Sequence, residues 1–456
     1  MTALWTSEEA QGATLGIPSR IFEVNGLSID TRTLQKDDLF VALKGENRDG
    51  HDFVKAAFEA GAGAALVTHR PADVASTSAL LTVANTQRGL EDLAVAARAR
   101  SDAKIIAVTG SAGKTTTKEI LRVALGALGT THTSAASYNN HWGVPLSLAS
   151  LPRDARYGVF EIGMNHFGEI RSLVGFVRPH VALVTTIAPA HLEFFGTCEA
   201  IADAKSEIFE GIAPGGAALI PSDSPYAERL IARARQAHVA RILKFGATAH
   251  SDARLTEYSE GGDGAQVKAN ICGTPVEFRI GAPGRHVAEN AVGALLAVSM
   301  VDGDVLNAAA ALRQFTALKG RGARFAAGGV EIIDESYNAN PASMAAALAL
   351  LGAAKGRRIA VLGDMLEMGS GGAAHHASLA APIEAARVDL VFLCGPQMQS
   401  LWDLLPASRR GAHTPTSAEL APLLTAALEN GDTVLVKGSL GSKMAVIVDA
   451  LKARGA

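Results

Sequence analysis

At 456 residues the chain is long enough for about two to four domains, and 48% hydrophobic with 19% charged residues is ample for several buried cores. A net charge of −3 with no dominant basic run argues against a duplex-sized nucleic-acid footprint and leaves small acidic ligands open. Cys198, Cys272 and Cys394 are far apart and read as reduced thiols without metal-ligand spacing. The opening stretch Met1–Glu9 has neither a cationic start nor a long apolar run, and no stretch reaches about 18 uninterrupted apolar residues, so a cytoplasmic protein without membrane insertion is expected.

In chain order, short apolar runs at Leu39–Leu43, Ala64–Thr68 and Leu80–Val83 surround helical patterns at Phe53–Ala60 and Gly89–Arg100, predicting a small α/β domain over 1–102. From Lys104, strands at Val159–Ile162, Val181–Ile187 and Ala217–Ile220 are expected to alternate with helices near Lys114–Leu128, Gly168–Phe176, Glu199–Gly211 and Tyr226–Ala237. That alternation predicts a doubly wound, mostly parallel sheet. Between Leu255 and Ile280 it gives way to short alternating strands around Gly261-Gly262-Asp263-Gly264 and Gly273-Thr274-Pro275. Helices at Arg285–Met300 and Val305–Phe315 complete a central domain over 103–318.

The basic, glycine-rich segment Lys319–Arg324 marks a boundary. Beyond it, strands at Val330–Asp334, Arg358–Leu362, Leu390–Cys394 and Thr433–Lys437 alternate with helices near Ser343–Leu351, Ala373–Ala386, Ala418–Leu428 and Lys443–Lys452. The expected architecture is three α/β domains, the last a Rossmann-like unit over 319–456.

One stretch carries chemistry on its own. After the β-branched run Ile105-Ile106-Ala107-Val108-Thr109 come Gly110-Ser111-Ala112-Gly113, then Lys114-Thr115-Thr116 opening a helix. Glycines let a backbone curl its N–H groups toward phosphate, Lys114 can reach the β- and γ-phosphates, and the Thr115 hydroxyl can hold Mg²⁺. Only Ser111 and Ala112 separate Gly110 from Gly113-Lys114, and Val108 stands at the usual first glycine, a shortened form of the loop.

Further clusters lie in order along nearly the whole chain. They are Asp30-Thr31-Arg32, Lys44-Gly45-Glu46-Asn47-Arg48-Asp49-Gly50-His51-Asp52-Phe53, Asn139-Asn140-His141-Trp142-Gly143-Val144-Pro145, Asp334-Glu335-Ser336-Tyr337-Asn338-Ala339-Asn340-Pro341 and Lys437-Gly438-Ser439. With the short phosphate loop, they resemble the Mur ligase family, ATP-dependent amide ligases of peptidoglycan synthesis that share a three-domain fold. Asp-Gly-His-Asp-Phe and Ser-Tyr-Asn-Ala-Asn-Pro point within it to the activity joining D-alanyl-D-alanine to UDP-N-acetylmuramoyl-tripeptide. The domains would then take UDP-precursor, ATP and incoming amine respectively, in a monomer.

The resemblance implies roles residue by residue. Gly110 to Thr116 would hold ATP, with Asn290 on the adenine side, Arg321 in the linker and Asp334 facing the ribose. Thr115, Glu161, His191 and Lys205 would serve magnesium, and with Lys114 they form the catalytic set. Read alone, Glu161 is a rim charge after a strand, His191 a loop residue and Lys205 an ordinary helix-surface lysine. The family pattern instead makes Lys205 a carbamate formed with CO₂, which turns a cation into an anion. Ser28, Thr31, Arg32, Lys44, Asp49 and His51 would meet the UDP-precursor. Asn139 and Asn140 read equally well as turn residues or as substrate-side amides. Tyr337, Asn338 and Asn340, with Gly363-Asp364-Met365 and Lys437-Gly438-Ser439, are candidates for the dipeptide pocket. Two positions depart from the pattern: Glu335 stands where a second aspartate is common, and Leu440 where an arginine is. Other readings are a different Mur-type or folylpolyglutamate ligase, or a nucleotide-binding regulator without catalysis.

Overall fold

The computed structural model describes residues 3–134, 137–261 and 264–454, so Gly262 and Asp263 of the expected glycine turn lie outside it. Contact density divides the chain into one unit of 1–108, 129–182 and 207–217 and another of 109–128, 183–206 and 218–456.

Near the start, a five-stranded sheet runs in the order Ile17–Pro18, Leu80–Thr82, Ala64–Val67, Asp38–Val41, Gly26–Ser28. All its pairings are parallel except that of Ile17–Pro18 with Leu80–Thr82. The apolar runs form its middle because a parallel strand covered on both faces is mostly apolar, and Leu39, Phe40 and Val41, like Ala64–Val67, are buried at every position. Trp5 lies 1% exposed beneath the Arg100 guanidinium and donates its indole N–H to the Ala149 carbonyl at 2.9 Å.

A nine-stranded sheet follows in the order Thr274–Ile280, Gly264–Ile271, Ala253–Gly261, Arg241–Gly246, Ala217–Pro221, Val181–Val184, Lys104–Thr109, Tyr157–Glu161, Thr131–Thr133. The strand feeding the phosphate loop is central and buried from Ile105 on, and it pairs in parallel with Tyr157–Glu161, setting Glu161 opposite Val108. The segment from Ala253 to Ile280 is an antiparallel meander, as its alternation predicts.

The last third forms a six-stranded sheet: Ala323–Ala327, Val330–Glu335, Thr433–Lys437, Arg358–Gly363, Leu390–Cys394, Arg410–Thr414. Alternate residues enter opposite cores. Ile333, Ala360, Leu362 and Leu435 pack into one cluster, and Ile332, Ile359, Val361, Val434 and Val436 into the other. Covering both faces removes each side chain from water, worth about 1.5–3 kcal/mol per large aliphatic residue.

Several boundaries differ from expectation. The strand expected over Val181–Ile187 ends at Val184, because Thr185 and Thr186 turn to bond the phosphate loop. The helix expected over Glu199–Gly211 stops at Ser206 and tightens into a 3₁₀ turn over Glu207–Gly211. The glycine-rich boundary segment is partly strand, since Ala323 and Arg324 pair with Asp334 and Ile333. The short strands Thr131–Thr133 and Arg410–Thr414 and the helix Gly143–Ala149 have no clear periodicity and were not expected.

Candidate active site

The phosphate loop is shaped by two glycines that no other residue could replace without strain. Gly110 has φ +152°, and a Cβ there would come 1.9 Å from the Thr185 hydroxyl oxygen. Gly113, at φ +81°, caps the helix Lys114–Gly126, and a Cβ would press on the Asn290 amide at 2.9 Å. Ser111 anchors the loop: its N–H donates to the Thr186 carbonyl at 2.8 Å, and its hydroxyl exchanges bonds of 2.9 and 3.0 Å with Ala188. Thr185 donates its hydroxyl to Ala112 and Thr109 carbonyls. First-turn amides point out of a helix end, so the loop and Lys114–Thr116 form a cradle suited to phosphate oxygens. The Lys114 ammonium folds back onto the Gly110 carbonyl at 2.7 Å.

Lys205, in the last turn of the helix Cys198–Ser206, is only 1% exposed. Burial, and secondarily the positive charge of Lys114, hold its amine well below the ordinary lysine pKa. A lysine stripped of water and facing another cation is poised to be neutral, which a surface lysine is not. His191 has φ +57° at the start of the short helix Leu192–Phe195, and its Nδ1 lies 2.6 Å from Glu367 Oε2. That imidazole holds the Glu367 carboxyl below its usual pKa.

Glu161 is 1% exposed at the carboxyl end of its strand and accepts the Asn139 amide at 2.7 Å. Gly163 allows this: its N–H donates to the Asn139 carbonyl at 2.8 Å, and a Cβ there would strike the Asn139 side chain. The two asparagines therefore part ways. Asn139 addresses Glu161, whereas the Asn140 side chain accepts from the Trp142 and Gly143 amides in a turn opening the helix Gly143–Ala149. Glu207 accepts the Gly168 and Arg171 amides and so caps the helix Glu169–Val177, a role its sequence position did not reveal.

After the linker, Arg321 stacks on Tyr337 at 3.9 Å. Asp334, 1% exposed, engages both oxygens within the chain, one with the Gly320 amide and the other with the Ser336 amide and hydroxyl. Glu335 pairs with the buried Lys437 at 3.2 Å, and the same ammonium donates to the Asn338 carbonyl. Asn338 accepts the Ala339 amide. Asn340 caps the helix Pro341–Gly352 while its side-chain amide reaches the Ser111 carbonyl at 3.4 Å. A shallow cleft is lined by Thr116, Pro283, His286, Phe315, Arg321 and Glu335, with burial pulling the His286 pKa down. Asp364 accepts the Gln397 and Met398 amides, and burial pushes its pKa up.

In the first sheet's loops the expected ligand groups are engaged with one another. Ser28 donates to the Asp30 carbonyl, and the Asp30 carboxylate, held down to about 2, accepts the Arg32 amide and guanidinium. His51 Nδ1 lies 2.6 Å from Asp49, which also accepts the His51 amide, and Nε2 accepts the Thr68 amide at 2.9 Å. Lys44 bridges to Asp49 through the backbone. Thr31 lies in the turn that follows Asp30.

Among the described residues no group of three or more His, Cys, Asp or Glu side chains converges as a metal site. The Thr115 hydroxyl and the Glu161 carboxylate, both buried, are oxygen donors of the kind a hard cation takes. No helix among the described residues is long and apolar enough to cross a membrane.

Three family models match in chain order. They are "Mur ligase family, catalytic domain" over 23–128, "Mur ligase middle domain" over 108–298 and "Mur ligase, glutamate ligase domain" over 320–440. The chain is 33% identical over 448 residues to the UDP-N-acetylmuramoyl-tripeptide--D-alanyl-D-alanine ligase of Rickettsia prowazekii, covering 98% of this chain and 99% of that one. It is 35% identical over 456 residues to the protein of the same name in Escherichia coli, covering 98% and 96%. The crystal structure of MurF from Acinetobacter baumannii matches with TM-score 0.86 and 31% identity over 98% of this chain and 99% of that one.

Proposed function

The chain belongs to the Mur ligase family, and from that premise we propose that it joins D-alanyl-D-alanine to UDP-N-acetylmuramoyl-tripeptide, converting ATP to ADP and phosphate. The observation that carries this is the cradle of Gly110–Lys114 with a second, buried lysine at 205, in a chain similar end to end to relatives of that name. The terminal carboxylate of the tripeptide attacks the γ-phosphorus of ATP, ADP leaves, and an acyl phosphate results. The dipeptide amine then adds to that carbonyl, and the tetrahedral intermediate collapses with loss of phosphate.

Two anions must meet in the first step, so cations at the γ-phosphate govern its rate. Lys114 supplies one from the chain. Thr115, Glu161, His191 and a carbamylated Lys205 would hold Mg²⁺, which when bound supplies further positive charge for the transferring phosphoryl group. The buried, neutral-leaning amine of Lys205 supports the carbamate, because only an unprotonated amine adds to CO₂. Asn139 orients Glu161, and Asn290 stands against Gly113 of the loop. Arg321, Asp334 and the cleft at Thr116 would take the nucleoside.

Residues 1–102 are assigned to the precursor, 103–318 to ATP and 319–456 to the amine. Ser28, Thr31, Arg32, Lys44, Asp49 and His51 would line the first site, and Tyr337, Asn338 and Asn340 the last. The protein would act in the cytoplasm as a monomer. Mass spectrometry of the product from UDP-N-acetylmuramoyl-tripeptide, ATP, Mg²⁺ and D-alanyl-D-alanine tests the reaction. The pentapeptide product with stoichiometric ADP is expected. Ligation of a single amino acid in place of the dipeptide would overturn it.

A further inference from the structure

The loop that follows the strand Arg358–Gly363 meets the loop carrying His191 through both backbone and side chain. The Glu193 amide donates to the Glu367 carbonyl at 3.1 Å, and Gly369, at φ +62°, packs so close that a Cβ would lie 3.3 Å from the Glu193 Cα. Across this contact Glu367 Oε2 approaches His191 Nδ1 to 2.6 Å. Both residues hold positive φ, at +62° and +57°, an unfavourable conformation for non-glycine residues that persists only where surroundings enforce it. The approach is close but not straight, since the buried Nδ1 finds no well-aligned acceptor.

A carboxylate this close to a ring nitrogen selects the tautomer. A bare Nδ1 would set lone pair against lone pair, so Nδ1 carries the proton and Nε2 keeps its lone pair. We infer that Glu367 is the positioning residue of His191: it fixes the Nδ1–H tautomer and ring orientation, leaving Nε2 as the acceptor or ligand at the phosphoryl-transfer site. This rests on the proposed role of His191 in that site. Because Glu367 belongs to the assigned amine-binding segment and His191 to the ATP-binding one, the pair also makes the imidazole's orientation depend on docking of the C-terminal segment.

Imidazole ¹H–¹⁵N spectra of the metal-free protein, with the His191 signal assigned through a His191→Gln variant, read the tautomer without any turnover. The wild type is expected to show a protonated Nδ1. Glu367→Ala should move the signal toward the Nε2–H form, whereas Glu367→Gln, which keeps an accepting oxygen, should preserve the wild-type pattern. In kinetics, Glu367→Ala is expected to lower kcat by about 10- to 100-fold with little change in the KM for the UDP-precursor, and Glu367→Gln to recover most of it. An unchanged tautomer in Glu367→Ala, or equal losses in both variants without a tautomer change, would overturn the inference. If His191→Gln retains full ligase activity, the site assignment of His191 fails instead, and the spectra still decide whether Glu367 sets its tautomer.

Discussion

The phosphate loop with its surroundings and the loops of the first sheet both collect polar side chains, but they treat them in opposite ways. Around residues 28–51 charged candidates hold partners within the chain: Asp30 holds Arg32, Asp49 holds His51, and His51 holds the Thr68 amide. Around residues 110–205 the distinguishing feature is instead a buried lysine, Lys205, whose amine burial and the field of Lys114 hold well below its usual pKa. Keeping a buried ammonium charged costs several kcal/mol, so such an amine leans to its neutral form, which suits it to chemistry rather than to bracing a loop. The difference separates residues poised for chemistry from residues that shape the loops beside a ligand.

The largest expected effect comes from Lys114→Ala. Removing a cation aimed at transferring phosphate should lower precursor-dependent ADP release by at least about a hundredfold while leaving the melting temperature nearly unchanged. Near-normal acyl-phosphate trapping in the folded variant would remove Lys114 from the reaction and erase the contrast.

Lys205→Ala follows, with loss of most activity and partial recovery on adding short carboxylates, which restore a negative charge in the vacated volume. Turnover close to wild type without added carboxylate would return Lys205 to a packing role. A pH series sharpens this in CO₂-free buffer. Since the folded pKa is depressed, the unfolded chain binds the extra proton between that value and about 10.4, so folding stability should rise with pH across that window. Lys205→Met should flatten the rise. A slope identical in wild type and variant would mean that Lys205 keeps its proton in the folded chain.

His51→Ala addresses the other side of the comparison. It leaves the Thr68 amide and Asp49 without their partner, so a stability loss of about 1–3 kcal/mol is expected in denaturant titration. A rise of more than tenfold in the precursor KM with no loss of stability would give His51 a binding role without the bracing one and blur the distinction.

The smallest structural effect is expected from Arg32→Ala. The Asp30 carboxylate is held near 2, so its contribution is present above the ordinary aspartate pKa and fades only as pH falls toward that value. Its partner is highly exposed and screened, so thermal melting at neutral pH should not move measurably. The predicted consequence is a higher precursor KM, because a guanidinium suits a diphosphate better than water does. An unchanged KM would leave Arg32 as a turn-stabilising residue alone.

The sequence by itself determined the three α/β domains, the phosphate loop and the family, because these rest on local signals: β-branched strands, helical periodicity, two glycines before Lys114-Thr115. The loop's function is written in contiguous residues, since a strand, a curl and a helix N-terminus must follow one another directly. Periodicity could not show that the strand at Val181 stops at Val184, because Thr185 is diverted to hold Ala112. Nor could it divide Asn139 from Asn140, which are identical neighbours until one meets Glu161 and the other a helix end. Lys205 and an ordinary surface lysine look alike in one dimension; burial and the field of Lys114 distinguish them. The Glu367–His191 pair was illegible for the same reason. Their meeting is set by how two loops remote in sequence pack, and only the tertiary structure brings a carboxylate to within 2.6 Å of that ring.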